Sequence, residues 1–171
     1  MNKGYIHIYT GNGKGKTTAA LGLALRAISA GKKVYIGQFV KGMAYSEVKS
    51  KNFLPNFEIE QLGRDCFIYR EPNDEDINLA REGLEKCKKI LEKGDYDLVI
   101  LDELNIATFY KLFTVEEVIE ALKNRAPHVE VVITGRYADK KIIEIADLVT
   151  EMKEIKHYYQ QGVEAREGIE C

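Results

Sequence analysis

The sequence predicts a three-layer α/β domain, in which helices cover both faces of a mostly parallel sheet of about six strands. Two observations support this fold class. Short runs of β-forming residues alternate with helical segments, which is the pattern of strands joined by parallel crossovers. One of these runs, Leu98–Leu101, is apolar without interruption, as expected of a strand covered on both faces. At 171 residues the chain has the length of one such domain, spanning residues 1–171.

Each predicted strand is a short run of β-branched, aliphatic or aromatic residues. In chain order the predicted strands are Tyr5–Tyr9, Val34–Val40, Phe57–Gln61, Leu98–Leu101, Val129–Thr134 and Leu148–Met152. The longest connections between elements cover residues 41–56 and 64–73. Long connections in such folds often serve the ligand.

Helical patterns lie between these strands. Residues 17 to about 30 are small and aliphatic and stop at Gly31, a suitable C-terminal cap. Residues 74 to about 93 place apolar side chains at three- and four-residue spacing, which makes one buried stripe. The segment Thr114-Val115-Glu116-Glu117 has the spacing of a capping box and predicts the start of another helix. A last short helix is expected over residues 139–146.

The composition excludes several classes of protein. There are 25 Lys and Arg against 27 Asp and Glu, so the net charge of −2 argues against a nucleic-acid binder held by bulk charge. No apolar run approaches the ~20 residues needed to span a bilayer, and the first residues lack the apolar core of a signal peptide. Three cysteines without a CxxC pair favour reduced thiols and a cytoplasmic location over disulfides or a zinc site.

A glycine-rich segment after the first predicted strand carries the clearest chemistry. It reads Thr10-Gly11-Asn12-Gly13-Lys14-Gly15-Lys16-Thr17 and fits the Walker A pattern except that Thr10 stands where the first glycine belongs. Its three glycines would allow positive φ and bring N–H groups close to phosphate oxygens. Lys16 would neutralise phosphate charge, and the Thr17 hydroxyl would bind Mg²⁺. The alternative is a glycine-rich turn that carries two exposed lysines.

Two acidic residues follow the fourth predicted strand. Asp102 and Glu103 come directly after Leu98–Leu101, which is the Walker B arrangement for approaching a nucleotide-bound Mg²⁺. In a hydrolase Glu103 would activate water, whereas in a group transferase it would hold the metal or the ribose. Both roles are open at this point.

Basic residues are candidates for phosphate contacts. Arg136 follows the fifth predicted strand, at the sheet edge where ligands of open α/β folds bind, and a guanidinium there could pair with phosphate. A surface salt bridge is the alternative role for Arg136. Arg26 alone would be a solvated side chain of the first helix, and the lone His157 is more often structural or exposed.

Aromatic residues in expected loops could form the floor of a pocket for a flat ligand, or could simply pack beneath the loops. They are Tyr45, Phe53, Phe67, Tyr69, Phe109, Tyr110, Tyr158 and Tyr159.

Taken together, the motifs resemble those of the P-loop ATP:corrinoid adenosyltransferases. The resemblance covers nearly the whole chain. It rests on TGNGKGKTTAALGLALRA (10–27), GQFVKG (37–42), LDELN (101–105), VITGR (132–136), IADLVTEM (145–152) and KHYYQQGVEAREGIE (156–170). It implies a RecA-like P-loop NTPase fold, with residues 153–171 forming a C-terminal tail near the active site.

The resemblance also implies a reaction and its participants. The family transfers the 5′-deoxyadenosyl group of ATP to the Co(I) of a reduced corrinoid and releases triphosphate, in adenosylcobalamin biosynthesis or salvage. The implied partners are ATP, Mg²⁺ or Mn²⁺, the corrinoid, a reductant or flavoprotein that supplies Co(I), and a second copy of the chain in a homodimer. Neither nucleic acid nor a membrane is an expected partner.

The resemblance assigns the site residues of the family to matching positions of this sequence. The P-loop residues that would wrap the triphosphate are Gly11, Asn12, Gly13, Lys14, Gly15, Lys16, Thr17 and Thr18. In the family ATP lies reversed in this loop, which leaves C5′ accessible. Arg26, Glu103 and Arg136 match positions that contact the nucleotide or its metal, so Arg26 becomes an expected ligand contact. Lys16, Thr17, Glu103 and Arg136 are the expected catalytic residues, and Thr17, Asp102 and Glu103 the expected metal ligands.

The sequence departs from the family pattern in two places. Related proteins often have an N-terminal extension that folds over the site, but the first strand is expected to begin here at about Tyr5. A lid is therefore expected to come from elsewhere. The family's GFTW-like segment is replaced by residues 63–69, in which Phe67 and Tyr69 are the expected aromatic contacts of the corrinoid.

Two other functions fit the motifs. One is an ordinary P-loop ATPase or small-molecule kinase, with Glu103 as base and Arg136 as transition-state clamp. The other is an ATP-gated corrinoid-binding protein that never completes the transfer.

Overall fold

The computed structural model describes residues 3–43, 45–64 and 71–171. In these ranges the chain forms a six-stranded sheet in which every neighbouring pair of strands is parallel. The strands are β1 (Ile6–Thr10), β2 (Val34–Gln38), β3 (Phe57–Gln61), β4 (Leu98–Asp102), β5 (Glu130–Thr134) and β6 (Leu148–Glu151). Their order across the sheet is β3-β2-β4-β5-β1-β6. The predicted α/β fold class is thereby confirmed.

The helices connect these strands. They are α1 (Lys16–Ser29), α2 (Asp74–Lys93), α3 (Leu104–Phe109), α4 (Val115–Lys123) and α5 (Lys140–Ile145), with 3₁₀ helices at Ser46–Asn52 and Tyr158–Gln161. The sequence did not predict α3 or the 3₁₀ helices, because a helix of four to seven residues is too short to show a periodic apolar stripe.

Helix ends follow the local sequence closely. Thr114 Oγ1 accepts a hydrogen bond from the Glu117 N–H, and the Glu117 carboxylate accepts one from the Thr114 N–H, so the predicted capping box is confirmed. Asn73 and Asp76 form a second capping box at the start of α2. Gly31 adopts φ 76° just beyond α1, as the predicted cap requires.

The apolar core lies in two layers, one on each face of the sheet. On one face α1 packs through its buried alanines against side chains of β2, β3, β4 and β5. On the other face, the buried stripes of α2 and α4, together with residues of α3 and α5, pack against the sheet. Between these layers, every residue of β2 and β4 is buried. This explains why the sequences of these two strands are mostly apolar on both faces.

The strand order determines where the site lies. β5 separates β1 from β4, so the segments that follow these three strands meet at the carboxyl edge of the sheet. These segments are the glycine-rich loop, the acidic pair and the turn at Gly135 and Arg136. Among the described residues, the structure has no helix with both the length and the apolar character needed to cross a membrane.

Candidate active site

The glycine-rich loop joins β1 to α1 and is held against the end of β6. Gly11 and Gly15 adopt φ 96° and 117°, which side chains disfavour. Gly13 was also expected to need a positive φ, and it does not adopt one. Its N–H donates to Met152 O at 2.7 Å, and a Cβ on Gly13 would lie 2.8 Å from the same oxygen. The glycine is therefore required for close approach to the chain after β6.

Lys16 is the first residue of α1 and is folded back over the loop. Its Nζ donates to Gly13 O at 2.7 Å, and the residue is 8% exposed. Burial lowers the pKa of Lys16, and the neighbouring Glu103 carboxylate opposes this shift only in part. The amine is thus held in the loop, close to where phosphate oxygens would approach the N-terminus of α1.

Asp102 ends β4 and is the centre of a buried polar cluster. Its Oδ1 accepts hydrogen bonds from the hydroxyls of Thr17 at 2.8 Å and Thr134 at 2.6 Å. Its Oδ2 accepts from Lys41 Nζ at 2.7 Å and Gln38 Nε2 at 3.1 Å. Four donors from three segments, α1, the end of β5 and residues 38–41, therefore engage both oxygens of a residue that is 1% exposed.

The charges of this cluster are balanced locally. Burial alone would raise the pKa of Asp102, but the Lys41 ammonium and the hydrogen bonds from Lys41, Thr134 and Thr17 outweigh it and lower the pKa. Burial would likewise lower the pKa of Lys41, yet the Asp102 carboxylate, with Glu103 and Glu47, raises it. Both groups are therefore ionised as a buried pair.

Glu103 stands beside this pair in an unusual backbone conformation. Its φ is 58°, in the left-handed region, and its N–H donates to Thr134 Oγ1 at 2.9 Å. Gly135 permits this arrangement, because a Cβ there would lie 3.2 Å from Glu103 Oε2 and 3.0 Å from the Asn105 Cβ. Burial and the nearby Asp102 carboxylate raise the pKa of Glu103.

These groups surround a cavity of about 490 Å³. The structure brings together nine of the residues expected from the sequence on its wall: Asn12, Gly13, Lys14, Gly15, Lys16, Thr17, Thr18, Glu103 and Arg136. Asp102 lies behind Thr17, and Gly11 lies against Met152. Four basic side chains, Lys14, Lys16, Lys41 and Arg136, line this cavity together with four glutamates, Glu47, Glu103, Glu154 and Glu170. The basic groups at the glycine-rich loop and at Arg136 suit phosphate oxygens.

The C-terminal segment and the connection after β2 complete the wall of the cavity. Residues 168–171, with Glu154 and His157, line it on one side. Lys14 Nζ donates to Ile169 O at 3.0 Å, and Ser46 Oγ donates to Cys171 O at 3.0 Å. The tail is therefore bonded both to the glycine-rich loop and to the 3₁₀ helix Ser46–Asn52.

Other expected site residues lie elsewhere. Arg26 is exposed on α1 and lines a separate cavity with His7 and Glu130, so α1 carries it away from the glycine-rich loop. Phe67 and Tyr69 lie outside the described residues. Phe109 stacks on Tyr137 with ring centroids 4.4 Å apart, and the pair lines a cavity other than that of the loop.

Sequence reasoning missed Lys41 and its neighbours as site residues. Lys41 lies within the noted segment GQFVKG, but a lysine after a strand carries no signal of its own. The structure shows why it is placed there: β2 ends at Gln38, earlier than predicted, and Val40 adopts φ 59° just before Lys41 reaches Asp102. Glu47 accepts from Gln38 Nε2 at 3.0 Å and extends the cluster into the 3₁₀ helix.

The oxygen atoms on this wall fit a divalent cation. The Thr17 hydroxyl uses its hydrogen toward Asp102, which leaves its lone pairs for a metal, and the Glu103 carboxylate lines the same cavity. Asp102 was expected to be a direct ligand, but its oxygens already accept four hydrogen bonds. No cluster of three or more His, Cys, Asp or Glu side chains suited to a metal occurs within the described ranges. Such a cation would therefore depend on phosphate oxygens for the rest of its coordination.

Comparison with known proteins identifies the family. The family model described as "ATP:corrinoid adenosyltransferase BtuR/CobO/CobP" matches residues 2–171. A corrinoid adenosyltransferase of Escherichia coli (strain K12) is 40% identical over 170 residues, covering 98% of this chain and 86% of the relative. The corresponding proteins of a Sinorhizobium species and of Pseudomonas aeruginosa are 38% and 34% identical, each over 98% of this chain and over 80% and 84% of the relative. Since these matches span almost the full chain, the protein belongs to the ATP:corrinoid adenosyltransferase family and is a corrinoid adenosyltransferase.

Proposed function

We propose that the protein transfers the 5′-deoxyadenosyl group of ATP to the cobalt of a Co(I) corrinoid, in adenosylcobalamin biosynthesis or salvage. The Co–C5′ bond forms with the electron pair of Co(I), which is formally oxidised to Co(III). The C5′–O bond breaks, and its electron pair leaves with triphosphate. The observation that carries this proposal is the cavity over the glycine-rich loop, which gathers four basic side chains in a chain of this family.

In this reaction the protein stabilises the leaving group rather than activating a nucleophile. Lys16 and Arg136 compensate the charge of the departing triphosphate, and the N-terminus of α1 adds its partial positive charge. Apart from Gly13, whose N–H donates to Met152 O, the loop residues 11–18 hold the phosphates through backbone N–H groups. Because Co(I) is itself a strong nucleophile, holding C5′ in line with the cobalt and excluding water are the remaining tasks.

Thr17 and Glu103 would hold the divalent cation, Mg²⁺ or Mn²⁺, and Asp102 would act through Thr17. When bound, the ion supplies positive charge to the triphosphate oxygens. Glu103 must be ionised to bind it. Burial and Asp102 raise the pKa of Glu103, whereas Lys41, Lys16 and Arg136 favour the ionised form.

The corrinoid, the source of Co(I) and the assembly are further parts of the proposal. On the family resemblance, Phe67 and Tyr69 contact the corrinoid, and a reductant or flavoprotein in the cytoplasm supplies Co(I). Arg26, which lines a separate cavity, has no part in the nucleotide site proposed here. The protein acts as a homodimer. The edge strand β6 supports this assembly, because its Leu148 and Val149 are each 43% exposed and a second copy would cover them. Light scattering of the purified protein tests the dimer.

Product analysis tests the reaction. The purified protein is incubated with ATP, Mg²⁺ and a chemically reduced corrinoid, with parallel samples that lack either the reductant or the corrinoid. We expect a light-sensitive Co–C product and triphosphate only in the complete mixture. ADP and phosphate in the sample without corrinoid would indicate an ATPase, and corrinoid binding without turnover would indicate an ATP-gated binding protein.

A further inference from the structure

We infer that Lys41 is a positioning residue for Mg–ATP binding, which acts by fixing Asp102 and, through Asp102, the hydroxyl of Thr17. The inference rests on the proposed function, because it concerns the same ATP site. Neither the motif pattern nor the family description assigns a role to this lysine. Lys41 lies three residues beyond the end of β2 and donates to Asp102 Oδ2, whereas the Thr17 hydroxyl donates to Asp102 Oδ1.

The contacts of Lys41 fix it firmly. Its Nζ lies 2.7 Å from Asp102 Oδ2, 3.5 Å from Thr17 Oγ1 and 3.8 Å from Glu47 Oε1. The ammonium also lies 4.9 Å from the centroid of the Tyr45 ring. With only 11% of the side chain exposed, the amine lies within a built cluster and not on a flexible surface.

Lys41 is the charged donor among the four that bind Asp102. Thr17, Thr134 and Gln38 offer neutral groups, so removal of the ammonium would leave the buried carboxylate without its hydrogen-bonded counter-charge. The carboxylate would then turn toward any cation in the cavity or take up a proton. In either case the Thr17 hydroxyl loses the acceptor that holds it, and the metal loses a well-placed ligand.

A direct role is the competing explanation, because Lys41 also lines the cavity and could contact a phosphate. The two explanations differ in how Lys41 and Asp102 depend on each other. If Lys41 acts through Asp102, replacing it has little further effect once Asp102 is already neutral. If Lys41 contacts the triphosphate, its loss costs the same affinity whatever residue stands at position 102.

A double-mutant cycle tests this inference. Isothermal titration calorimetry measures Kd for Mg–ATP without corrinoid, at several Mg²⁺ concentrations, for the native chain, Lys41→Met, Asp102→Asn and the double variant. Lys141→Met is the matched control, since Lys141 forms an exposed ion pair with Glu116. We expect Lys41→Met to raise Kd at least about tenfold and to raise the Mg²⁺ concentration required, with less than about a threefold effect in the Asp102→Asn background. Lys141→Met should match the native chain.

Two results would overturn the inference: native Mg–ATP affinity in Lys41→Met, or an equal loss of affinity in both backgrounds. Should Lys41→Met fail to fold by circular dichroism, the charge-balanced double variant is compared with Asp102→Asn alone. Equal Kd values support the inference, and weaker binding by the double variant contradicts it. Since these measurements need no corrinoid, their outcome is separate from that of the product analysis, which tests the proposed function.

Discussion

The hydroxyl of Thr17 donates a hydrogen bond of 2.8 Å to Asp102 Oδ1 and so ties the start of α1 to the end of β4. The same oxygen accepts the Thr134 hydroxyl at 2.6 Å, and Thr134 in turn accepts the Glu103 N–H at 2.9 Å. The glycine-rich loop, the acidic pair and the end of β5 are therefore joined through one carboxylate. A substitution of Thr17 should therefore disturb the glycine-rich loop, the acidic pair and the end of β5 together.

Replacement of Thr17 tests this relationship. Thr17→Val keeps the shape of the side chain but removes both the donor to Asp102 and the proposed metal ligand. We expect kcat/KM for adenosyl transfer to fall about 10²-fold or more, whereas Thr17→Ser retains most of it. Ser29→Ala on the exposed end of the same helix is the control. Native turnover by Thr17→Val would show that the hydroxyl has no part in the reaction.

Loss of the Lys16 amine should affect the chemical step. In Lys16→Ala the developing triphosphate charge lacks its chief counter-charge, so we expect kcat to fall about 10²–10³-fold. Lys14→Ala should cost less, because the Lys14 amine is exposed and bonded to a tail carbonyl. Single-turnover kinetics with a reduced corrinoid compare the two variants. Equal losses would contradict the special role of Lys16.

Glu103 should show a conflict between stability and activity. Its pKa in the folded chain is raised, so between the ordinary and the raised value the folded state binds more protons than the unfolded state. The stability from this group is thus lost as pH rises through that window. Glu103→Gln removes the cost of the buried charge, and a relief of about 1 kcal/mol would raise Tm at pH 7 by about 2–4 °C.

The same variant should lose metal binding. Calorimetry should show weaker Mg–ATP binding by Glu103→Gln than by the native chain. The affinity of the native chain should fall toward acid pH as Glu103 takes up a proton, and the affinity of the variant should not show this fall. The Tm difference between the two proteins should shrink as the pH falls and Glu103 becomes protonated. A variant that is less stable than the native chain at pH 7 would contradict the stated direction of the pKa shift.

Cys87 should be unreactive in the folded protein. It lies on the buried face of α2, and burial raises the pKa of its thiol to about 12. At pH 8 we expect iodoacetamide to modify Cys87 at least about 100-fold more slowly than Cys171, because both access and thiolate are lacking. Peptide mass spectrometry measures both rates, and unfolding in guanidinium should make them similar. Comparable rates in the native protein would contradict this burial.

The capping box of α4 offers a test of stability alone. Thr114→Ala removes the acceptor for the Glu117 N–H, which should cost about 1 kcal/mol of unfolding free energy. Urea denaturation measures the loss. Kd for Mg–ATP should stay the same, because α4 does not line the cavity over the glycine-rich loop. An unchanged midpoint would show that the cap is not stabilising in this protein.

Elements with a strong local signal were predicted well from the sequence. The bounds of β3 and α2 agree with the structure, since alternation in one and a long apolar stripe in the other specify each element. The short helix α3 was not predicted, because it begins where Glu103 takes a left-handed conformation with its N–H bonded to Thr134 Oγ1, 31 positions along the chain. Local propensity carries no information about such a contact.

The site residues likewise divide into those with a local sequence signal and those that depend on distant contacts. The motif placed Lys16, Thr17 and Glu103 on one cavity because spacing along a loop and a strand end is a local property. The function of Lys41 depends on a contact across 61 positions of the chain, so it could be found only in three dimensions. Gly13 is a further example, since its close neighbour is Met152, which lies far along the chain.

The stoichiometry of the two products tests the central claim most directly. The native protein is incubated with ATP, Mg²⁺ and a Co(I) corrinoid under anaerobic conditions, the Co–C product is quantified by its absorbance, and ³¹P NMR identifies the phosphates released. We expect one intact triphosphate for each Co–C bond formed. ADP and phosphate as the released products, or triphosphate without a Co–C bond, would contradict it.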